Sequence, residues 1–129
     1  MTLEIIGGMF SVCKLEKLPS ALPDTIFIFF ARTDSEISLV CPTDFVPGGI
    51  LHREDGWRAL RVRGELDFSL VGILADTTSV LARRGISIFA VSTYDTDYIL
   101  IKENNFADAI SALGESGYTV EENKGVLTE

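Results

Sequence analysis

Between Leu66 and Glu103 the hydrophobic period of this chain changes from helical to extended, and that change limits the folds open to it. Leu70, Ile73, Leu74, Thr77 and Leu81 recur at helical spacing, with Ser69, Gly72, Asp76, Ser79 and Arg83 on the opposite stripe. Asp67 or Ser69 can cap the start of this helix, and Arg83-Arg84-Gly85 is a strong stop. From Ile86 to Val91 the pattern becomes that of a strand, and Asp95 marks a turn. Tyr98 to Ile101 resumes as a strand after a connection too short for anything but an antiparallel hairpin.

The flanks extend this pattern. Leu3 to Leu15 reads as a strand with a bend at Gly7-Gly8, and Thr25 to Thr33 and Glu36 to Cys41 as two strands about an Asp34-Ser35 turn. Pro19 and Pro23 make the stretch before Thr25 a loop, and Pro47, Gly48 and Gly49 forbid a long helix before Gly56. Trp57 to Arg63 is again a strand. Asn104 or Asn105 caps a second helix with Phe106, Ala109, Ile110 and Leu113 on one face; Gly117 ends it, and Tyr118 to Glu121 forms a last strand.

The two halves repeat. Ile26, Ile28, Phe29 and Thr33 recur sixty positions later as Ile86, Ile88, Phe89 and Thr93. With one residue inserted in the turn, Glu36, Leu39 and Gly56 fall on Asp97, Leu100 and Gly117. A duplicated β-α-β-β-α-β unit accounts for this, with subdomains 1–60 and 61–129 and both helices of the first copy eroded. A single α+β domain with coincidental strand similarity is the alternative. Strand, helix, hairpin, helix, strand is a ferredoxin-like α+β arrangement, with both helices on one face of an antiparallel sheet. Phe89, Val91, Tyr98 and Leu100 make the other face apolar too, so the other copy of the unit or another chain is expected against it.

Composition removes several classes of function. A net charge of −8 opposes binding to duplex nucleic acid or an anionic membrane, and no apolar run approaches a membrane span. The start, MTLEIIGGMF, lacks the pattern of a signal peptide, which points to the cytoplasm. Cys13 and Cys41 fit buried free thiols of a cytosolic protein. His52 sits in a polar loop, no His/Cys cluster has metal-ligand spacing, and no Gly-rich phosphate loop is present. The carboxylates Glu36, Asp95 and Asp97 gather near turns without a nucleophile or proton shuttle. The expectation is therefore no catalysis, no metal and no cofactor.

Topology places one candidate site. If strand 57–63 runs upward, the helix beginning near Ser69 starts at the top edge. Strand 86–93 climbs back, so the turn Tyr94–Thr96 and Asp97 lie at that edge as well. Unpaired N–H groups at a helix start attract a carboxylate, and Gly72 would let a ligand approach the backbone. Asp97 could take an ammonium or guanidinium group. Donors for an anion beside a carboxylate for a cation suit an amino acid.

The stretch FSLVGILADTTSVLARRGISIFAVSTYDTDYILIKE resembles the ACT domain, a small regulatory ligand-binding module. The resemblance is carried by Gly72, by Arg84-Gly85-Ile86 and above all by Ser92-Thr93-Tyr94-Asp95-Thr96-Asp97. It is similar to the branch that includes cytosolic arginine sensors and small bacterial proteins with tandem ACT-like copies, and it spans Trp57 to Val120, more loosely Leu3 to Cys41. The resemblance implies side-by-side pairing of ACT units, hence a homodimer, and amino acids bound near the first helix. It puts Phe68, Ser69, Leu70, Val71, Gly72 and Ile73 at the ligand's carboxylate and Asp97 at its cationic end. Two functions are thereby expected to compete: an amino-acid sensor that signals to a partner protein, and a ligandless module for oligomerisation or protein interaction.

Overall fold

Two strands of 14 residues, β1 (Thr2–Leu15) and β4 (Ile50–Arg63), run through the centre of the strand order. The computed structural model describes residues 1–63 and 72–123. Between and after the long strands come β2 (Phe29–Arg32), β3 (Ile37–Pro42), a 3₁₀ turn at Thr43–Phe45, α1 (Ile73–Arg83), β5 (Ile88–Ser92), β6 (Asp97–Lys102), α2 (Glu103–Glu115) and β7 (Thr119–Glu122). The chain forms two compact units, one of Met1–Gly7 with Arg58–Glu129, the other of Gly8–Trp57. Each long strand therefore gives one part to each unit. Gly8 opens the second unit and Gly56 stands one residue before its end, and their φ angles of 85° and 86° are conformations an L side chain resists.

In the first unit the strand order is β7-β1-β4-β6-β5. β5 and β6 form an antiparallel hairpin running from Ile88 opposite Ile101 to Ser92 opposite Asp97. One face of this sheet presents Leu3, Leu60, Val62, Ile99 and Ile101, and there α1 buries Val80 and Leu81 while α2 buries Phe106, Ala109, Ala112 and Leu113. This is the expected α+β, ferredoxin-like fold. One strand departs from it: β7 pairs in parallel with β1, from Thr2 opposite Thr119 to Ile5 opposite Glu122, so β1 stands between β7 and β4.

The reverse face of this unit is charged where it could be apolar. Glu4, 8% exposed, accepts a hydrogen bond from Arg61 Nε at 2.9 Å and has Arg63 at 3.5 Å. The Arg61 guanidinium lies 5.8 Å from the centre of the Tyr98 ring and donates to its hydroxyl at 3.3 Å. A carboxylate this enclosed is tolerated because two guanidinium groups satisfy it. Leu100 is 0% exposed in the single chain. The back face of β6 is therefore covered within the single chain, one of the two expected alternatives, and does not call for another chain.

The second unit has the strand order β2-β3-β1-β4 and its own apolar cluster of Cys13, Leu15, Leu39 and Cys41, packed by Ile28, Phe30, Ile37, Val46 and Ile50. Among the described residues before Arg58, the 3₁₀ turn is the only helical element. Residues 16–28, which hold Pro19 and Pro23, run without regular structure; Phe27 sits at φ 61° with its ring edge-on to Phe10. β4 begins at Ile50, seven residues before the strand expected at Trp57. Leu51 to Asp55 are all exposed, so this part of β4 shows no alternation to read.

The hairpins β2–β3 and β5–β6 are built alike. Thr33 N–H donates to Glu36 C=O at 2.9 Å and Thr93 N–H to Thr96 C=O at 2.8 Å, and each Thr hydroxyl turns back on the same carbonyl. Arg32 lies opposite Ile37 as Ser92 lies opposite Asp97. The two turns are thus equal in length. The inserted residue expected between them is absent, so Asp97 corresponds to Ile37 and Thr96 to Glu36.

Both cysteines are buried and free. Burial pushes the Cys41 thiol up to about 11, helped by the neighbouring Cys13, and raises the Cys13 thiol as well. A thiol that holds its proton more tightly when folded contributes full stability below the unfolded value near 9. That contribution is lost as pH rises towards 11. Iodoacetamide at pH 8 should leave the native thiols untouched while the urea-unfolded chain is alkylated. Stability in urea should fall between pH 9 and pH 11. Rapid alkylation of the native protein would contradict the burial.

Candidate functional site

The hairpin turn after β5 stands against the end of β4 and the start of α1. Val62, Ile73 and the run Thr93–Asp97 line a cleft of about 210 Å³. Val62 supplies the floor from β4, and its carbonyl accepts the Thr96 hydroxyl, which ties the turn to the strand. Within the turn the Thr93 hydroxyl donates to Thr96 C=O at 3.1 Å and accepts the Thr96 N–H at 3.4 Å. Asp97, half-buried, receives the Ser92 hydroxyl at 2.5 Å across the hairpin. Asp95 is exposed, and Tyr94 projects fully into solvent, 102% exposed. The described lining carries two carboxylates and no basic side chain. It suits a cationic group better than an anionic one.

Of the site residues expected from sequence, Ile73 and Asp97 line this cleft together. Gly72 stands next to it. Phe68, Ser69, Leu70 and Val71 lie outside the described residues. Gly72 occupies the cap position of α1, not its first turn, with φ 89° and ψ −6°, and Asp76 N–H donates to its carbonyl at 2.8 Å. A left-handed residue cannot continue a right-handed helix upstream, which is why α1 begins at Ile73 and not near Ser69. The cap residue is a glycine with no side chain to offer, and the expected caps Asp67 and Ser69 lie outside the described residues. Among the described residues, a Cβ on Gly72 would meet nothing within 4 Å. The glycine is required for its backbone conformation and not for close packing.

Val62, Thr93, Tyr94, Asp95 and Thr96 complete the cleft and were not singled out as ligand contacts. The Thr-x-x-(Glu/Thr) recurrence at Thr33–Glu36 and Thr93–Thr96 is the signal that could have marked the turn as a built element. Asp76, on the stripe opposite the helix's apolar face, is not idle, because the Tyr118 hydroxyl donates to its carboxylate. Asn104 and Asn105 do not cap α2, which starts directly from the end of β6 at extended Lys102. His52 is exposed, and among the described residues no group of three or more His, Cys, Asp or Glu side chains could hold a metal ion. No helix among them is long and apolar enough to cross a membrane.

Residues 52–115 match the family model of the ACT domain. Among solved structures, the chain is similar to protein Atu0741 of Agobacterium tumefaciens, with 28% identity and a TM-score of 0.87 over 99% of this chain and 97% of that one. It is also similar to VC0802 of Vibrio cholerae, titled a protein of unknown function and possible transport protein, with 24% identity and a TM-score of 0.66 over 88% of each chain. The regulatory subunit of aspartate kinase from Thermus thermophilus shares the fold at 12% identity and a TM-score of 0.58, over 89% of this chain and 94% of that one. No curated protein matches the sequence significantly. Family match and fold together support the ACT family.

The conformation of Gly72 is directly testable. Gly72→Ala should lower stability by about 1–2 kcal/mol, the cost of holding an L residue left-handed, although its methyl group meets no neighbour among the described residues. Urea denaturation reads this. An unchanged midpoint would mean that α1 does not start from a left-handed residue.

Proposed function

We infer that this chain is an ACT-family regulatory protein that binds an amino acid, or a similar small molecule bearing a cationic group, in the cleft between the start of α1 and the turn before β6. The observation that carries the reading is that all seven cleft residues, from Val62 to Asp97, fall within the segment that matches the ACT domain. The ligand's cation would meet Asp97, and its carboxylate the backbone N–H groups at the helix start, with Phe68 to Ile73 around it. The reading assigns the cleft no chemistry of its own, since its described lining offers Val, Ile, Thr, Tyr and Asp side chains but no base beyond the carboxylates. The regulatory part is supported by the aspartate kinase regulatory subunit, whose fold this chain shares. A partner protein in the cytoplasm would then receive the signal.

A ligandless ACT-like module acting through protein contacts is the second reading, favoured by the full exposure of the Tyr94 ring. A thermal-shift panel of the twenty protein amino acids separates the two. A ligand present at about 100 times its Kd adds roughly 2.7 kcal/mol of apparent stability. At least one amino acid should raise the melting temperature. For that amino acid, Asp97→Ala should weaken calorimetric binding by about 1.5–3 kcal/mol, a lost charge-assisted hydrogen bond. Ser79→Ala, on the exposed stripe of α1, should bind like the parent. A flat panel would favour the ligandless module.

We also propose a homodimer. β5 is the last strand in its unit's order, and its Ile88, Phe89 and Val91 are only half-buried. An unpaired strand edge with apolar side chains invites pairing with a second copy. Light scattering at tens of micromolar should report two chains. A monomer across that range would exclude the dimer.

A further inference from the structure

Tyr118 lies outside the cleft and beyond the ACT-matched segment, yet its hydroxyl reaches the helix that forms the cleft wall. It donates to the Asp76 carboxylate and accepts, at 3.2 Å, from the Thr77 hydroxyl, whose single proton is shared with the Ile73 carbonyl at 2.8 Å. Thr77 is 0% exposed, so its hydroxyl has no water to turn to. Ile73, at the end of this chain of bonds, is a cleft residue. On the other side, Tyr118 is the residue before β7. Its N–H donates to Leu113 C=O at 3.1 Å, and the next residue, Thr119, donates to Met1 C=O at 3.0 Å. A single phenol thus joins the first turn of α1 to the strand that pairs with β1.

We propose that the Tyr118 hydroxyl is a positioning group that holds the first turn of α1, and with it the cleft wall at Ile73, against the β7 edge. The functional half of this proposal rests on the reading of the cleft as a ligand site. Three features of the geometry favour positioning over simple packing. The hydroxyl engages two consecutive side chains, Asp76 and Thr77, which fixes the helix in rotation as well as in height. Through Thr77 it reaches the carbonyl of Ile73, the first residue of the helix. The ring packs on the apolar cluster of the unit, so the anchor end is fixed. Burial and the Asp76 carboxylate raise the Tyr118 phenol above its ordinary value, which keeps it a donor through the neutral range.

The test is Tyr118→Phe in the full chain, which keeps the packed ring and removes only the hydroxyl. Amide hydrogen exchange needs no ligand. The amides of residues 76–78 and of 119–122 should exchange about tenfold faster, while those of Ile99–Ile101 in the central strand stay at the parent rate. Asp76→Ala should give the same local pattern, and Ser79→Ala should give none. The second readout uses the amino acid with the largest shift in the twenty-member panel, whose Kd should rise three- to tenfold in Tyr118→Phe. Unchanged exchange at 76–78 and 119–122 would overturn the proposal, and so would a uniform rise that includes Ile99–Ile101, the mark of a merely global loss of stability. If no amino acid binds the parent protein, the cleft reading fails and the exchange pattern still decides the role of Tyr118.

Discussion

The position of α1 depends on one apolar contact, the burial of Val80 and Leu81 against Leu60, Val62, Ile99 and Ile101. Full burial of a large aliphatic side chain contributes about 1.5–3 kcal/mol. The ion pairs Arg84–Asp108 and Arg84–Glu115 on the outer surface of the helices, half-exposed at their acidic ends, contribute ~1 kcal/mol or less each. Burial therefore decides where the helix lies, and the ion pairs follow. Once Leu81 is seated, the chain running back to Ile73 brings the helix start beside the end of β4. Val62 serves both sides of this arrangement, with its side chain in the core and its carbonyl holding Thr96. The cleft is a consequence of the core and needs no separate scaffold.

The fold was largely legible because the described part of the second half obeys its own periodicities. Ile73, Leu74 and Leu81 do pack on the apolar cluster, Thr77 is buried, and the hairpin turns where Asp95 marks it. What could not be read were places where a strand or a helix end is held by something other than an apolar stripe. β4 from Leu51 to Asp55 is extended because it pairs with β1, and its exposed residues carry no period. Met1 to Gly7 joins the unit of the C-terminal half through β7, a pairing 117 residues apart in sequence that no local pattern announces.

The comparison of the two hairpins shows how a repeat can be seen and still be misregistered. Aligning Leu39 with Leu100 matches residue type, whereas the backbone aligns Leu39 with Ile99, since Phe30 faces Leu39 as Ala90 faces Ile99. The agreement continues past the hairpins. Pro42 and Lys102 have nearly the same backbone angles, φ −56° with ψ 139° and φ −60° with ψ 143°, and each begins a helical element. After Pro42 the element ends at Phe45, with Pro47, Gly48 and Gly49 following; after Lys102 it continues for 13 residues through a run rich in alanine. The two elements thus share a start and differ in length.

In the proposed reading, the cleft would divide the work of recognition unequally. A helix start attracts an anion with about 0.3–1 kcal/mol when exposed, and Asp76 in the first turn of α1 already takes part of that field. A charge-assisted hydrogen bond to a carboxylate contributes about 1.5–3 kcal/mol. Asp97 is half-buried and oriented by Ser92, so little ordering remains when a cation arrives. Discrimination among ligands would therefore come chiefly from the cationic end, and the carboxylate end would add register more than affinity. The turn is braced by Thr93 within itself and by Thr96 onto Val62, while among the described residues the helix start carries a glycine cap and the Tyr118 phenol. Bracing of the turn would thus sit where the larger share of the binding free energy would be gained, with Tyr118 holding the opposite wall in place.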